Sequence, residues 1–406
     1  MLRFPLLTCL VALSMLTGTS TGQDRRPPGA PLGTSPPGTD WIPERERKDF
    51  DWNLDVPRPE LRMDQRHEIA LKARVEAGDL EESDADHDLT LVTVVTDRDG
   101  KWLAASPPDR QSLASDVHEE SALEFETYIS LTPGRYVVWV VLEDETTGQR
   151  NVARKEIEVA RIGNDPLPQA YMDLPAVEFA RVEQVGTLRV RHFASDLAIP
   201  VPNTRPLDVE LIATLSAPEQ WPGGDALFRH TENMLAGLTV LSRLDLAAGS
   251  RSVTGLDLLR REVAFEQEGR SPLDRAALVE ALERVNRSAI SVDALTGRKD
   301  NPAFLRRYIE DRVASSPPDS SDDPLKVLIL VAGVMRFEDS PDLSEVELEG
   351  RCDCRVFHLR FKQELQDLFD QVDDLLKPLD PPTWDIFSPR DFRRVIGEIV
   401  DDLGGS

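Results

Sequence analysis

Apolar and polar positions follow two different rhythms along the chain. From about residue 60 to 162 the rhythm is two. Ile69, Leu71 and Ala73 alternate with polar or small neighbours, and Leu89–Thr96 is a β-branched run that ends in Asp97-Arg98-Asp99-Gly100, a hairpin-type turn. Phe125, Tyr128 and Ile129 mark another strand. Pro133-Gly134 turns into Arg135–Leu142, and Thr147-Gly148 turns into the alternating stretch Val152–Ala160. Roughly six to seven short strands separated by turns predict an antiparallel β-sandwich over 58–162.

From about residue 206 the rhythm changes. Apolar strands now alternate with helical periodicity. Val209–Leu215 reads as a strand, and His230–Leu246 as a helix carrying Met234, Leu235, Leu238, Leu241 and Leu244 at i, i+3, i+4 spacing. Ser252–Leu256 and Glu262–Phe265 are closely spaced strands, followed by helices over Leu273–Val285 and around Phe304–Val313. Lys326–Ala332 is almost wholly apolar, the signature of a strand buried on both faces of a parallel sheet. Arg355–Leu359, a helix through Leu365–Leu375, the short strand Trp384–Phe387 and a helix capped by Ser388-Pro389 complete the order. This order predicts a doubly wound, Rossmann-like α/β sheet over 206–404 with right-handed crossovers. The fold class expected is therefore multidomain, a β-sandwich followed by an α/β layer. Residues 163–205, punctuated by prolines, form the connection, with possible strands at Val177–Val182 and Thr187–Phe193.

Composition sharpens this picture at the start of the chain. Residues 1–22 carry Arg3, then the apolar run Leu6–Leu16, then small Ser20 and Gly22, the layout of a secretory signal peptide. The run is shorter than the ~20 apolar residues that span a bilayer, and no later segment is apolar enough to do so. The expected location is secreted or periplasmic, in a bacterial envelope, with no membrane span once the signal is removed. Residues 23–57 are rich in Pro, Gly, Ser and charge, and read as a tether whose far end could dock through Trp41, Phe50 or Trp52.

The chain has 406 residues, with 47 Lys+Arg against 73 Asp+Glu and a net charge of −26. That balance excludes nucleic acid and anionic lipid as main partners, since both reward clustered cations. Aromatics at 6% disfavour a stacking platform for single strands. The arginine pairs Arg260-Arg261, Arg306-Arg307 and Arg393-Arg394 read as surface ion pairs.

The element order of the second half, with "SPLDRAALVEALERV" after a strand and "WDIFSPRDFRRVIGEIVDDL" at the close, resembles a von Willebrand factor type A (vWA) domain over about 200 residues. The whole chain resembles exported bacterial vWA-related proteins with a β-sandwich before that domain. The resemblance implies a metal-ion-dependent adhesion site: an Asp-x-Ser-x-Ser loop after the first strand, a Thr from a middle loop, and an Asp after the central apolar strand. The matching first loop here is Thr214-Leu215-Ser216-Ala217-Pro218, and the matching central position has Ala332 before Gly333. Both carboxylates are replaced, and hydroxyls alone hold Mg²⁺ weakly because they lack the charge. No cofactor or metal is therefore expected. The contact face implied is the carboxyl edge of the sheet, with Ser216, Ala217, Glu219, Asp293, Thr296, Ala332 and Gly333 as binding residues. Glu219, Asp225, Asp293 and Thr296 could also form an unconventional cation site.

Removal of the signal leaves Cys352 and Cys354 as the only thiols. Readings that stay open are two buried thiols, a local or intermolecular disulfide, and a metal site with His358, which shares their side of a strand. His230, read as opening a helix beside Thr231, suits capping or the surface. There is no G-x-S-x-G elbow, H-E-x-x-H, phosphate loop or G-x-G-x-x-G after a strand. The expected function is non-enzymatic binding of a protein partner. Cation-dependent adhesion and a thiol, redox or hydrolytic enzyme are the alternatives.

Overall fold

The computed structural model describes residues 45–80, 86–114, 121–185, 188–216, 224–269, 272–288, 300–314, 323–335, 354–362 and 370–405. The signal expected at 1–22 and the tether as far as residue 44 lie outside these. Pro43–Ser406 forms one compact unit. It holds a sandwich core and, apart from it, the cores of an α/β layer.

Ten strands build the sandwich: β1 (Asn53–Asp55), β2 (Glu60–Leu61), β3 (His67–Glu76), β4 (His87–Asp97), β5 (Trp102–Ala105), β6 (Asp109–Leu113), β7 (Ala122–Leu131), β8 (Gly134–Asp144), β9 (Arg150–Val159) and β10 (Val177–Phe179). One sheet runs β1-β3-β7-β10 with β2 beside β3, the other β5-β4-β8-β9 with β6 beside β4. Alternate residues of both sheets, such as Ile69 and Leu71 on β3 and Leu89 and Leu91 on β4, meet in one core. Every pairing is antiparallel. The Asp97–Gly100 turn forms as its sequence predicts: Asp97 Oδ1 accepts from the Asp99 and Lys101 N–H groups, and Gly100 takes φ +83°. Residues 47–55 pack on the sandwich, before the tether boundary expected at 57. The Asn151 side chain accepts from Asp49 N (2.8 Å) and donates to Phe50 O (2.9 Å), and the Phe50 ring is buried.

The connection forms a hairpin of β11 (Arg181–Val185) and β12 (Leu188–His192), then β13 (Ile199–Val201). The α/β layer follows: β14 (Leu207–Thr214), α1 (Gly224–Leu241), β15 (Leu244–Leu246), β16 (Gly249–Asp257), β17 (Glu262–Glu268), α2 (Arg275–Ser288), α3 (Asn301–Ala314), β18 (Leu325–Gly333), β19 (Cys354–Phe361), α4 (Gln371–Leu376), β20 (Thr383–Ile386) and α5 (Pro389–Gly404). Six strands form a mixed sheet in the order β17-β16-β14-β18-β19-β20. All neighbours are parallel except β16 and β17.

Helices cover both faces. Val209, Leu211 and Ala213 of β14 join a core with Leu238 of α1, Leu282 of α2 and Ile396 of α5. Ile212 points the other way, to Leu305 of α3 and Leu375 of α4. The alternation of a strand thus feeds two apolar layers at once, which is why β14 and β18 read as continuous apolar runs. Glu210, the buried acid of β14, is held by Arg312 (3.2 Å), Lys326 (3.4 Å) and the Tyr308 hydroxyl (3.1 Å). At the start of β16, Gly249 sits at φ +126°, and a Cβ there would lie 1.8 Å from Leu207 O, so only glycine fits.

Arg393 corrects an expectation. Instead of a surface ion pair it is 1% exposed and grips Asp165 with two bonds, Nε to Oδ1 (2.6 Å) and Nη2 to Oδ2 (2.9 Å), while Nη2 also donates to Leu167 O (2.8 Å). This fork ties α5 to the connection.

Candidate functional site

The carboxyl edge of the six-stranded sheet is the place the sequence pointed to. Ser216 follows β14 and Asp257 ends β16, so the parallel pairing of these strands brings the two side chains together. The Ser216 hydroxyl donates to Asp257 Oδ1 (3.0 Å) and accepts from Leu258 N (2.8 Å). The same Asp257 oxygen accepts from Leu259 N (3.0 Å) and Arg260 N (3.3 Å). Thr214 is buried, and its hydroxyl has no hydrogen bond. Across the sheet, Ala332 is buried with no polar atom beyond its backbone, and Gly333 is buried beside it.

Ser216, Ala332 and Gly333 therefore form a floor rather than a contact surface, and their side chains are not accessible. Ala217, Glu219, Asp293 and Thr296 lie outside the described residues, as does Cys352. Asp225 falls at the start of α1, where side chains are not described.

His230 departs from its expectation. The helix begins at Gly224, which carries His230 well inside α1 and onto the stripe of Met234, Leu238 and Leu241. Its ring is buried beside the backbone of Thr214 and Ser216, and burial pulls its pKa down to about 4, against the upward pull of that backbone. Serine, histidine and aspartate thus share one end of the sheet without making a catalytic relay. Ser216 donates to the carboxylate itself, and the imidazole addresses backbone. A nucleophile needs the base on its own hydroxyl.

A second cluster sits where β19 meets the start of α4. Asp370 caps α4: its Oδ1 accepts from Val372 N (3.2 Å) and Met335 N (3.0 Å). His358 Nδ1 lies 3.1 Å from Asp373 Oδ1. One ligand atom from each of His358, Asp370 and Asp373 lies within 4.8 Å of the others, a spacing that could hold a metal ion. Arg360 argues against one. Its Nη1 binds Asp373 Oδ2 and lies 4.0 Å from Asp370 Oδ2, while its Nη2 lies 2.7 Å from Asp385. Lys362 reaches the other Asp385 oxygen at 2.8 Å. A guanidinium already supplies the positive charge a metal would bring. Burial pushes the Asp370 carboxyl up. It pushes Asp373 up too, but the His358 hydrogen bond and the Arg360 charge outweigh it and hold that group below its usual range. The Cys354/His358 metal reading also fails on geometry, because Cys354 is disulfide-bonded. Both other cysteines lie outside the described residues.

No family model matches the chain, and no curated protein matches it. Among solved structures, the FixG-related protein from Vibrio parahaemolyticus is 11% identical, covering 29% of this chain and 100% of that one, with a TM-score of 0.19. The sporulation control protein Spo0M from Bacillus subtilis is 16% identical over 36% of this chain and 65% of that one, TM-score 0.19. A Bacteroides uniformis beta-glucuronidase is 10% identical over 81% of this chain and 38% of that one, TM-score 0.19. None of the three is described as a vWA protein, and likenesses this weak say nothing of function.

Proposed function

We propose that the chain is a secreted or periplasmic, non-enzymatic interaction protein. In this reading its C-terminal layer is a vWA-type module that binds a protein partner at the carboxyl edge without a metal ion. The observation that carries the reading is the Ser216–Asp257 pair: the hydroxyl left in the adhesion loop spends its proton on a buried carboxylate and takes a backbone N–H in return. The strand order, with its single antiparallel edge strand β17, supports the vWA assignment. The missing charge at Thr214 and Ala332 supports the loss of the ion.

The test is calorimetric titration of the full chain with Mg²⁺, Ca²⁺ and Zn²⁺, with thermal unfolding alongside. No saturable heat and an unchanged Tm are expected for all three. Saturable Mg²⁺ or Ca²⁺ binding would overturn the metal-independent reading in favour of cation-dependent adhesion.

A further inference from the structure

A cleft of about 370 Å³ opens between the sandwich and the α/β layer, walled by residues 60–66, by β12, by α1 and by the first residue of α2. In a chain with far more acids than bases, this cleft collects six arginines: Arg62, Arg66, Arg189, Arg191, Arg243 and Arg275. Only three acids, Glu60, Asp64 and Glu232, share the wall.

Glu60 and Glu232 reach Arg62 (3.8 Å) and Arg191 (3.9 Å) from within the wall, but the acids in closest contact with the arginines other than Arg62 stand behind it. Glu178 takes Arg66 at 3.0 Å, Glu126 takes Arg189 at 2.7 Å, and Glu68 takes Arg191 at 2.5 Å. Asp196 is shared, at 2.5 Å from Arg243 and 3.6 Å from Arg275. None of these four acids lines the cleft. A guanidinium carries five donors in a plane, so a carboxylate on one edge orients it and leaves other N–H groups for a second partner, which for Arg66 are Ser130 and Ser195. Arg243 Nε is buried with no hydrogen bond. One carboxylate between two guanidiniums leaves that corner positive, in keeping with the fall in Arg275's basicity caused by burial and by Arg243. Met63, Phe193 and Leu235 give the same cleft an apolar side.

We infer that this cleft binds a small organic ligand carrying at least two carboxylate or phosphate groups on a short carbon skeleton. Forked donors match such oxyanions, the apolar wall takes the skeleton, and the volume falls at the lower end of the ~300–1,000 Å³ typical of small-molecule sites, which favour domain junctions. The inference does not depend on the carboxyl edge or on its reading as a vWA surface.

Calorimetry of the full chain at fixed ionic strength tests it, with citrate and glucose 6-phosphate as the carboxylate and phosphate probes and sulfate as the bare ion. Saturable binding of citrate or glucose 6-phosphate, tighter than that of sulfate, is expected. Arg275→Gln should weaken it by about tenfold to a hundredfold, the worth of one charge-assisted bond. Asn233→Asp adds a negative charge to the α1 wall without changing its shape, and should weaken binding by about tenfold while leaving the fold intact, so it decides the matter if Arg275→Gln unfolds. No saturable heat from either organic anion, sulfate bound as tightly, or unchanged affinity in Asn233→Asp would each overturn the proposal.

Discussion

The carboxyl edge of the sheet and the arginine cleft deal with buried charge in opposite ways. At the edge, polar groups close on one another: Ser216 on Asp257, Asp257 on the backbone of Leu259 and Arg260. In the cleft, acids hold arginines from behind and guanidiniums line the wall. The first arrangement stabilises a loop; the second stores binding capacity. Counting charged residues cannot separate them, because the difference lies in which side of each group its partner occupies.

The largest effect should come from breaking the closed arrangement. Asp257→Ala strands the Ser216 hydroxyl and two backbone N–H groups in a buried place. A loss of about 3–5 kcal/mol is expected from urea unfolding, as for other uncompensated buried polar networks. A loss below about 1 kcal/mol would mean that water reaches this edge and the contrast with the cleft is false.

Titration sharpens the comparison, because each region holds one group far from its ordinary value. Glu68, behind the cleft, is raised by burial from 4.5 to about 7 despite Arg191. The folded chain keeps a proton there that the unfolded chain releases, so this stabilising effect is complete at low pH and is lost as pH rises toward 7. His230, at the edge, is lowered from 6.5 to about 4. There the unfolded chain takes up the proton first, so stability is full above 6.5 and falls as pH drops toward 4. The two slopes oppose each other over most of the same range. Glu68→Gln should make stability climb more steeply between about pH 5 and 6.5, and His230→Gln should tilt it the other way, each by up to about 1.4 kcal/mol per pH unit. Denaturant midpoints measured across that range decide it; parallel curves for both variants and the parent would refute both assignments.

The smallest effect marks the boundary of the edge network. Arg260 joins it through its backbone only, and its side chain is exposed, 3.8 Å from Glu262. Arg260→Ala should change stability by less than about 0.5 kcal/mol in the same unfolding assay.

Strands and helices whose patterning repeats over several residues were legible. Lys326–Ala332 announced β18 because an apolar run leaves few alternatives, and the Ser388-Pro389 cap announced α5, where Ser388 does accept from Asp391 N. Short strands such as β5 and β6 carried no such signal, since four or five residues of mixed polarity gain their order from β4 alone. His230 was misplaced by the helix start rather than by its neighbours. It stands four residues before Met234, and extending the apolar stripe backward would have put it inside. The cleft was invisible for a different reason. Arg62 and Arg275 are separated by about half of the chain, and nothing in local spacing brings them together.

The fork between Arg393 and Asp165 also makes the junction depend on the end of the chain. The strands on both sides of the cleft precede α5 in the chain, yet Pro389 forms part of its wall and receives the Gln65 amide at 3.0 Å. Without Arg393, Asp165 lacks its counter-charge, and the junction is left to pairs such as Arg243–Asp196. A chain that ends before residue 389 would therefore hold the sandwich core but leave the α/β core without Phe392, Val395, Ile396 and Ile399, so the last helix closes that layer and the junction together.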